Sequence, residues 1–334
     1  MNTESLWIVG LLIFLALAFD FMNGFHDAAN SIATIVSTGV LKPNQAVAFA
    51  AVFNLLALLI FHLSVAATVG KGIVNPVVVD LHVLFGALVG AITWNFITWF
   101  YGIPSSSSHA LIGGLIGATI PKAGLGALVW GGILKTLLFI VLSPLLGFLL
   151  GSIILVIVSH IFKHKSPSST DRLFRGLQII SSGAYSLGHG GNDSQKTIGI
   201  IWLILISSGY LTADSASPGY LVILSCYLAI ACGTLFGGWR IVKTMGQRLT
   251  KLKPVGGFCA ETGGAITLFL ASALGIPVST THTITGAIIG VGSTQHVSGV
   301  RWGIAKNIVW AWIFTIPVTA IIASLAYGLS LYLY

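Results

Sequence analysis

Gly102–Gly117 reads G-I-P-S-S-S-S-H-A-L-I-G-G-L-I-G, and Gly275–Gly290 reads G-I-P-V-S-T-T-H-T-I-T-G-A-I-I-G. At an offset of 173 the Gly, Ile, Pro, Ser, His and two later Gly coincide. Two more blocks keep the same order: His26-Asp27 meets Asn192-Asp193 at an offset of 166, and Gly132–Lys135 meets Gly303–Lys306 at 171. Such self-similarity marks a chain made of two repeats. Each Pro-Ser block follows an apolar stretch, Leu81–Phe100 or Ala265–Leu274, and leads into another. Proline ends the incoming helix, and the Ser/Thr run caps the outgoing one. A helix broken inside a membrane leaves unpaired N–H groups at the positive end of a new helix dipole, and flanking hydroxyls add donors. At one break the hydroxyls could merely satisfy the freed backbone. Two matched breaks brought face to face would surround a small tetrahedral oxyanion; phosphate fits, and sulfate has nearly the same geometry.

The membrane setting follows from composition. Of 334 residues, 55% are hydrophobic and 7% charged, against about 25% charged in an average soluble domain. Mean hydropathy is +0.96, and long apolar runs occur at Leu6–Phe19, Gln45–Val69 and Leu134–Val158. A water-soluble globule is excluded, and an all-α polytopic membrane protein is expected in the plasma (inner) membrane, with roughly 8 to 12 spans or half-spans. Leu125–His160 is too long for one crossing and short for two. Glu4 is the one charge before the first span, and the first lysine is Lys42, so the basic start of a signal peptide is missing and the first segment is expected to stay as a membrane helix. Cys226, Cys232 and Cys259 have no metal-binding spacing; they read as small core residues, and no transition-metal site or cofactor is expected.

The net charge of +8 does not call for a nucleic-acid partner, because nine of the sixteen Lys and Arg fall in two short segments, Lys163–Arg175 and Arg240–Lys253. The positive-inside rule places these loops, 161–176 and 239–254, in the cytoplasm. The first divides the chain into a repeat over 1–160, a basic linker over 161–176 and a repeat over 177–334. The place equivalent to Arg240–Lys253 in the first half holds only Lys71 and Asp80, and the place equivalent to Lys42 in the second half is an acidic loop near Asp214. Equivalent loops thus differ in charge, so the repeats are expected to be inverted, with broken helices meeting near mid-membrane and the N-terminus outside.

Within the segments that open each half, Asp27 and Asp193 stand between apolar flanks. A carboxylate at mid-span costs about 2.5–3.5 kcal/mol on insertion scales, so such residues have work to do. The alternative is an interfacial cap. Their neighbours are Asn23, His26 and Asn30 in one half, and His189, Asn192, Gln195 and Lys196 in the other, a set suited to cation coordination by side-chain oxygens. His109 and His282 stand one turn into the new helices, where they would touch the anion, relay a proton or pin the hairpin. Gly113 with Gly117, and Gly286 with Gly290, permit close helix packing. Glu261 lacks an acidic counterpart in the first half and is a candidate coupling residue. An intramembrane Ser-His-Asp hydrolase would need a nucleophile elbow that is missing, so the chain is not read as an enzyme. A passive anion channel remains the alternative to a carrier.

The stretches N-G-F-H-D-A-A-N (Asn23–Asn30) and G-H-G-G-N-D-S-Q-K (Gly188–Lys196), with the paired P-x-S-x-x-H loops, resemble the inorganic phosphate transporter (PiT) family, in its bacterial low-affinity permease type. The resemblance spans both halves. It implies a secondary transporter importing inorganic phosphate on a cation gradient, with alternating access and ions bound between the repeats. Its phosphate ligands would be Ser106, Ser107, Ser108, Ser279, Thr280 and Thr281. Asp27, Asn30 and Asp193 would serve the cation, with Asn23, Glu261 and Lys196 beside them; Asn192 belongs to the cation motif and is counted with the phosphate ligands as well. Sodium-coupled members read G-A-N-D-V-A-N-A in both halves. Here His26 replaces the first Asn, and Lys196 stands where the second motif would match Asn30, so that its ammonium can occupy the place of a monovalent cation. This departure resembles members that use protons or a neutral metal–phosphate complex such as one with Mg²⁺. Partners are then phosphate, a coupling cation and the lipid bilayer; a homo-oligomer is compatible but not demanded.

Overall fold

Each apolar run folds as helix, and the order of elements is gone through twice. The computed structural model describes residues 6–212 and 214–332; Glu4 lies outside the described residues. The first half holds α1 (Leu6–Ser37), α2 (Pro43–Leu56), α3 (Ser64–Gly72), α4 (Leu81–Tyr101), α5 (Ser107–Ala123) and α6 (Trp130–Phe162). The second holds α7 (Pro167–Ser207), α8 (Tyr220–Phe236), α9 (Trp239–Lys243), α10 (Pro254–Ala273), α11 (Thr280–Gln295) and α12 (Trp302–Ser330). Each half is a long helix, a bent pair, a helical hairpin and a closing helix, as an inverted repeat requires.

Among the described residues five helices, α1, α4, α6, α10 and α12, are long and apolar enough to cross a membrane; counting each bent pair as one span gives up to seven. The sequence count of 8 to 12 took in half-spans, and the halves of broken helices supply them. The region around Leu125–His160 resolves into one helix, α6, whose 33 residues span about 50 Å at 1.5 Å per residue. It therefore crosses tilted or projects beyond the hydrocarbon core.

Three local expectations are corrected. The incoming hairpin helices stop at Gly102 (φ +66°) and Gly275 (φ +64°); the left-handed turn that glycine adopts freely ends them before the prolines act. Most of the basic linker is helical, since α7 begins at Pro167 with Ser166 as its N-cap. The segment 239–254 is not a plain loop: α9 runs on into a π-helical turn, Thr244–Leu249, and Ile241, Val242, Met245 and Leu249 are buried. Its Arg240 donates to the carbonyl of Phe100 and covers the rings of Trp99 and Phe100, while Thr244 Oγ1 donates to Gly102 O at 2.9 Å. The basic segment thus braces the first hairpin.

The bends at α2/α3 (81°) and α8/α9 (60°) were not anticipated. The first is held from the other half: Gln195 Oε1 on α7 accepts from Val65 N (2.9 Å) and Ala66 N (3.3 Å), the open N–H groups of α3. Gln195 is therefore a helix cap and not a member of the cation cluster.

The closing helices cross over. α12 of the second half packs on α4 and α5 of the first, and α6 of the first packs on α10 and α11 of the second. The small-residue pairs make this possible. A Cβ on Gly113 would lie 2.7 Å from Ile316 O, and one on Gly290 would lie 2.8 Å from Phe148 Cα, so backbones touch where any larger residue would force them apart. Pro144 in α6 and Pro317 in α12 sit at these crossings at the repeat offset of 173.

Candidate functional site

The two hairpins point their tips at each other. Ser106 Oγ accepts from His109 N, and Ser279 Oγ accepts from His282 N, both at 3.2 Å. These serines are N-caps, each satisfying one of the open N–H groups of its helix, and each keeps its own hydroxyl proton to offer. Ser108 Oγ donates to Val278 O at 3.2 Å, joining tip to tip. Ser107 Oγ is buried without a partner. His109 and His282 meet edge to face with ring centroids 4.6 Å apart, and His282 stacks on Trp312 at 3.8 Å. The histidines lock the hairpin interface to α12.

Lys196, 2% exposed, ties the tips to α7. Its Nζ donates to Asp193 Oδ1 at 2.5 Å, to Ser108 Oγ at 2.5 Å and to Val278 O at 2.8 Å. An ammonium has three donors, and all three are spent on oxygens in the way a small cation is caged. Asp193 Oδ2 accepts from Thr280 Oγ1 at 3.2 Å. Asn30 Nδ2 donates to Thr280 Oγ1 (3.2 Å) and Thr281 Oγ1 (3.0 Å), reaching the second hairpin from α1. Tyr185 OH donates to Thr280 O at 2.9 Å.

Asp27 is paired as well. Its Oδ1 lies 2.6 Å from His26 Nδ1, and His26 Nε2 lies 3.0 Å from Thr98 Oγ1. Thr98 Oγ1 accepts from Ser105 Oγ and donates to the carbonyl of Trp94, both at 2.9 Å. It therefore takes a hydrogen from Nε2, which leaves one proton to be shared between Nδ1 and the carboxylate; this assignment follows from the bonding network. Both aspartates thus carry a built-in cation or proton, His26 for Asp27 and Lys196 for Asp193.

Asp27, His189 and Asp193 bring one ligand atom each to within 4.8 Å of one another. Asn54 Nδ2 donates to Thr234 Oγ1, so Asn54 Oδ1 accepts from His189 Nδ1 at 3.1 Å. A neutral His189 then turns its Nε2 lone pair toward Asp193 Oδ2, 3.4 Å away, an arrangement that asks for a proton or a cation between them.

Other predicted residues lie apart. Glu261 accepts from Thr34 Oγ1 (2.5 Å), Gln178 Nε2 (3.1 Å) and Ser181 Oγ (2.6 Å), its own fully bonded cage. Asn192 Nδ2 donates to Ser272 Oγ and Ile276 O, bracing α10 and the second hairpin, while its Oδ1 is unpartnered. Asn23 is buried with an unpartnered Oδ1 one turn from Asp20. The sequence reading missed Asp20, Thr98 and Tyr185; for Asp20 the same rule about acids in apolar helices was sufficient. A cavity of about 420 Å³ lies beside Pro104 of the first hairpin, lined also by Thr244, Arg248 and Asn307.

Comparison with known proteins agrees with this geometry. Residues 23–170 and 162–323 both match the profile described as "Phosphate transporter family". A "Probable low-affinity inorganic phosphate transporter" of Rhizobium meliloti (strain 1021) is 60% identical over 320 residues, covering 96% of this chain and 95% of the relative. One of the same description from Bacillus subtilis (strain 168) is 45% identical over 319 residues, 95% of each. A solved structure titled "The sodium-dependent phosphate transporter" matches with a TM-score of 0.92 at 25% identity, covering 98% of this chain and 100% of that one.

Proposed function

Since this chain belongs to the phosphate transporter family, and is a transport protein and not an enzyme, we propose that it imports inorganic phosphate by proton-coupled alternating access across the plasma (inner) membrane. The observation that carries the coupling mode is the pairing of both central aspartates with proton-bearing side chains of the protein, His26–Asp27 at 2.6 Å and Lys196–Asp193 at 2.5 Å. The positions that would help to hold sodium are taken by groups that themselves carry protons. Phosphate binds where the hairpin tips meet, between the N-terminal ends of α5 and α11, with hydroxyls of Ser106, Ser107, Ser279 and Thr281 as donors and the Lys196 ammonium as counter-charge. Its arrival draws Lys196 from Val278 O and Ser108, loosening the tie between the hairpins. Each hairpin then moves with the closing helix packed on it, α12 with α4/α5 and α6 with α10/α11, against α1 and α7. The basic segments 161–176 and 239–254 lie in the cytoplasm and the N-terminus lies outside.

A second reading rests on the Asp27, His189 and Asp193 cluster, which suits a divalent cation carried with the phosphate. The test is labelled phosphate uptake by purified protein in liposomes under an inward proton or sodium gradient, each with and without Mg²⁺. Proton-driven accumulation, inhibited by arsenate and not by sulfate, is the expected result. Dependence on Mg²⁺ would favour the second reading, sodium-driven accumulation would overturn the coupling, and gradient-independent flux would mean a channel.

The caps give a narrower prediction. Ser106→Ala with Ser279→Ala removes two N-caps at about 1 kcal/mol each and two donors to the anion. The KM for phosphate is expected to rise by roughly tenfold, about 1.4 kcal/mol, with the protein still inserted. An unchanged KM would place phosphate elsewhere.

A further inference from the structure

One stripe of the α6 surface changes chemistry near its end. Leu149, Ile153 and Val156 are exposed, and His160 and Lys163 continue the same face at helical spacing, also exposed. With 33 residues, α6 is longer than the roughly 20 that cross a hydrocarbon core, so this end reaches headgroup level. Two cavities meet there. One, of about 450 Å³, is lined by the apolar Leu155 and Val156 and by Ser159, His160, Lys163 and Gln295. The other, of about 250 Å³, shares Gln295 and is lined also by Gln247, Thr250, Lys251, His296 and Arg301. Its wall is tied together where Arg301 N donates to Leu249 O at 3.0 Å and Thr250 Oγ1 donates to Gly299 O at 3.2 Å. Trp302, next to Arg301, is exposed, and its Nε1 donates to Val297 O at 3.0 Å; tryptophan is enriched at the headgroup level of membranes.

The basic groups of these cavities lack a counter-ion. Between Asp214 and Tyr334 the one acid is Glu261, which is buried in its own cage of donors. Asp171, the acid that follows Lys163 in the chain, is taken by Arg175 at 2.8 Å. Among the described residues Lys163, Lys251 and Arg301 enter no ion pair. Positive charge that serves only to orient a chain in the membrane needs no cavity. Here it gathers around two that meet at one residue, with an apolar stripe leading away from them. A soluble anion has no use for the stripe, whereas a phospholipid has a part for each.

We propose that this cleft binds an anionic phospholipid, with the headgroup phosphate held by Lys163, Lys251 and Arg301 and an acyl chain laid along Leu149, Ile153 and Val156. The group recognised is a phosphodiester. The cleft joins the ends of α6 and α11 to the start of α12, so the bound lipid ties the closing helix of the first half to the hairpin of the second. Assignment to the cytoplasmic leaflet rests on the orientation given above; the site itself does not.

The test titrates the protein, purified in detergent, with phosphatidylglycerol, phosphatidylcholine or inorganic phosphate, and reads binding by native mass spectrometry and thermal unfolding. Phosphatidylglycerol is expected to be retained in preference to phosphatidylcholine and to raise the unfolding temperature. In Lys163→Gln with Lys251→Gln and Arg301→Gln, affinity for phosphatidylglycerol is expected to fall by roughly a hundredfold. Lys165→Gln with Arg172→Gln and Lys243→Gln removes as many charges outside the cavities and is expected to keep that affinity. Equal losses in both triple variants would mean a diffuse positive surface and overturn the site, as would full retention in the first. An unfolding shift with inorganic phosphate that the first triple variant abolishes would make the occupant a free anion and overturn the lipid. Should that variant fail to insert, phosphatidylglycerol with a photoreactive acyl chain decides on the unaltered protein: labelling within 149–163 supports the site, and labelling confined to other helices overturns it. Lipid binding is read without transport, so failure of the carrier reading and failure of this site are separate results.

Discussion

Asp193→Asn is expected to abolish phosphate uptake and to lower the amount of protein in the membrane. Asp193 is fully buried, and one of its oxygens takes the Lys196 ammonium while the other takes Thr280. Asparagine leaves that ammonium in a dry interior without its counter-ion, and breaking one side of a buried pair costs about 3–5 kcal/mol. Loss of stability and loss of transport are separable here. Removing both charges in Asp193→Asn with Lys196→Gln leaves no orphaned ion, so the double variant should recover membrane insertion and thermal stability in detergent while uptake stays absent. Recovery in the double variant beyond the sum of the single effects is the signature of the pair. Asp27→Asn should also abolish uptake, with His26 left facing a neutral side chain. Wild-type uptake by the Asp27→Asn, Asp193→Asn double variant would overturn the mechanism outright.

Lys196→Asn should change the driving ion. The substitution restores the residue that matches Asn30 in the first half and removes the positive charge from between Asp193, Ser108 and Val278. Oxygens that caged an ammonium are then left for a monovalent cation. Proton-driven accumulation is expected to disappear, and sodium is expected to stimulate what uptake remains by about tenfold, equivalent to about 1.4 kcal/mol of cation binding. Lithium and potassium serve as size controls. Unaltered proton-driven uptake with no response to sodium would show that Lys196 is a structural tie and nothing more.

Much of the site could be read from the chain because duplication writes its functional blocks twice. The Ser106–His109 and Ser279–His282 caps, Asp27 with Asp193, and the odd placement of Lys196 all stand out by comparison of one half with the other. Where the halves differ, comparison gives nothing. Asp20 falls opposite Ser186 and hides at the end of the apolar run Leu6–Phe19, although the cost of a mid-helix acid applies to it as it does to Asp27. Glu261 was legible as one-sided, but its donors Thr34, Gln178 and Ser181 come from two other helices. The α2/α3 bend was equally hidden, because the group that caps α3 is Gln195, brought in from α7. Periodicity shows which face of a helix is apolar and not which helix will cover it, so the crossing of α6 and α12 between halves could not be foreseen.

That crossing sets a timetable for biogenesis. The hairpin α4/α5 is translated well before α12, the helix whose backbone fits against Gly113 and Gly117. The nascent first half therefore enters the bilayer with a face of its hairpin still covered by lipid or by the insertion machinery, and it cannot reach its final packing until α6 to α11 have been made. Pairing across so much intervening chain is slow and leaves a long-lived intermediate. Ribosome pauses or truncations upstream of α12 should strand that intermediate, and membrane quality control would meet it as a half-assembled protein with an exposed glycine groove.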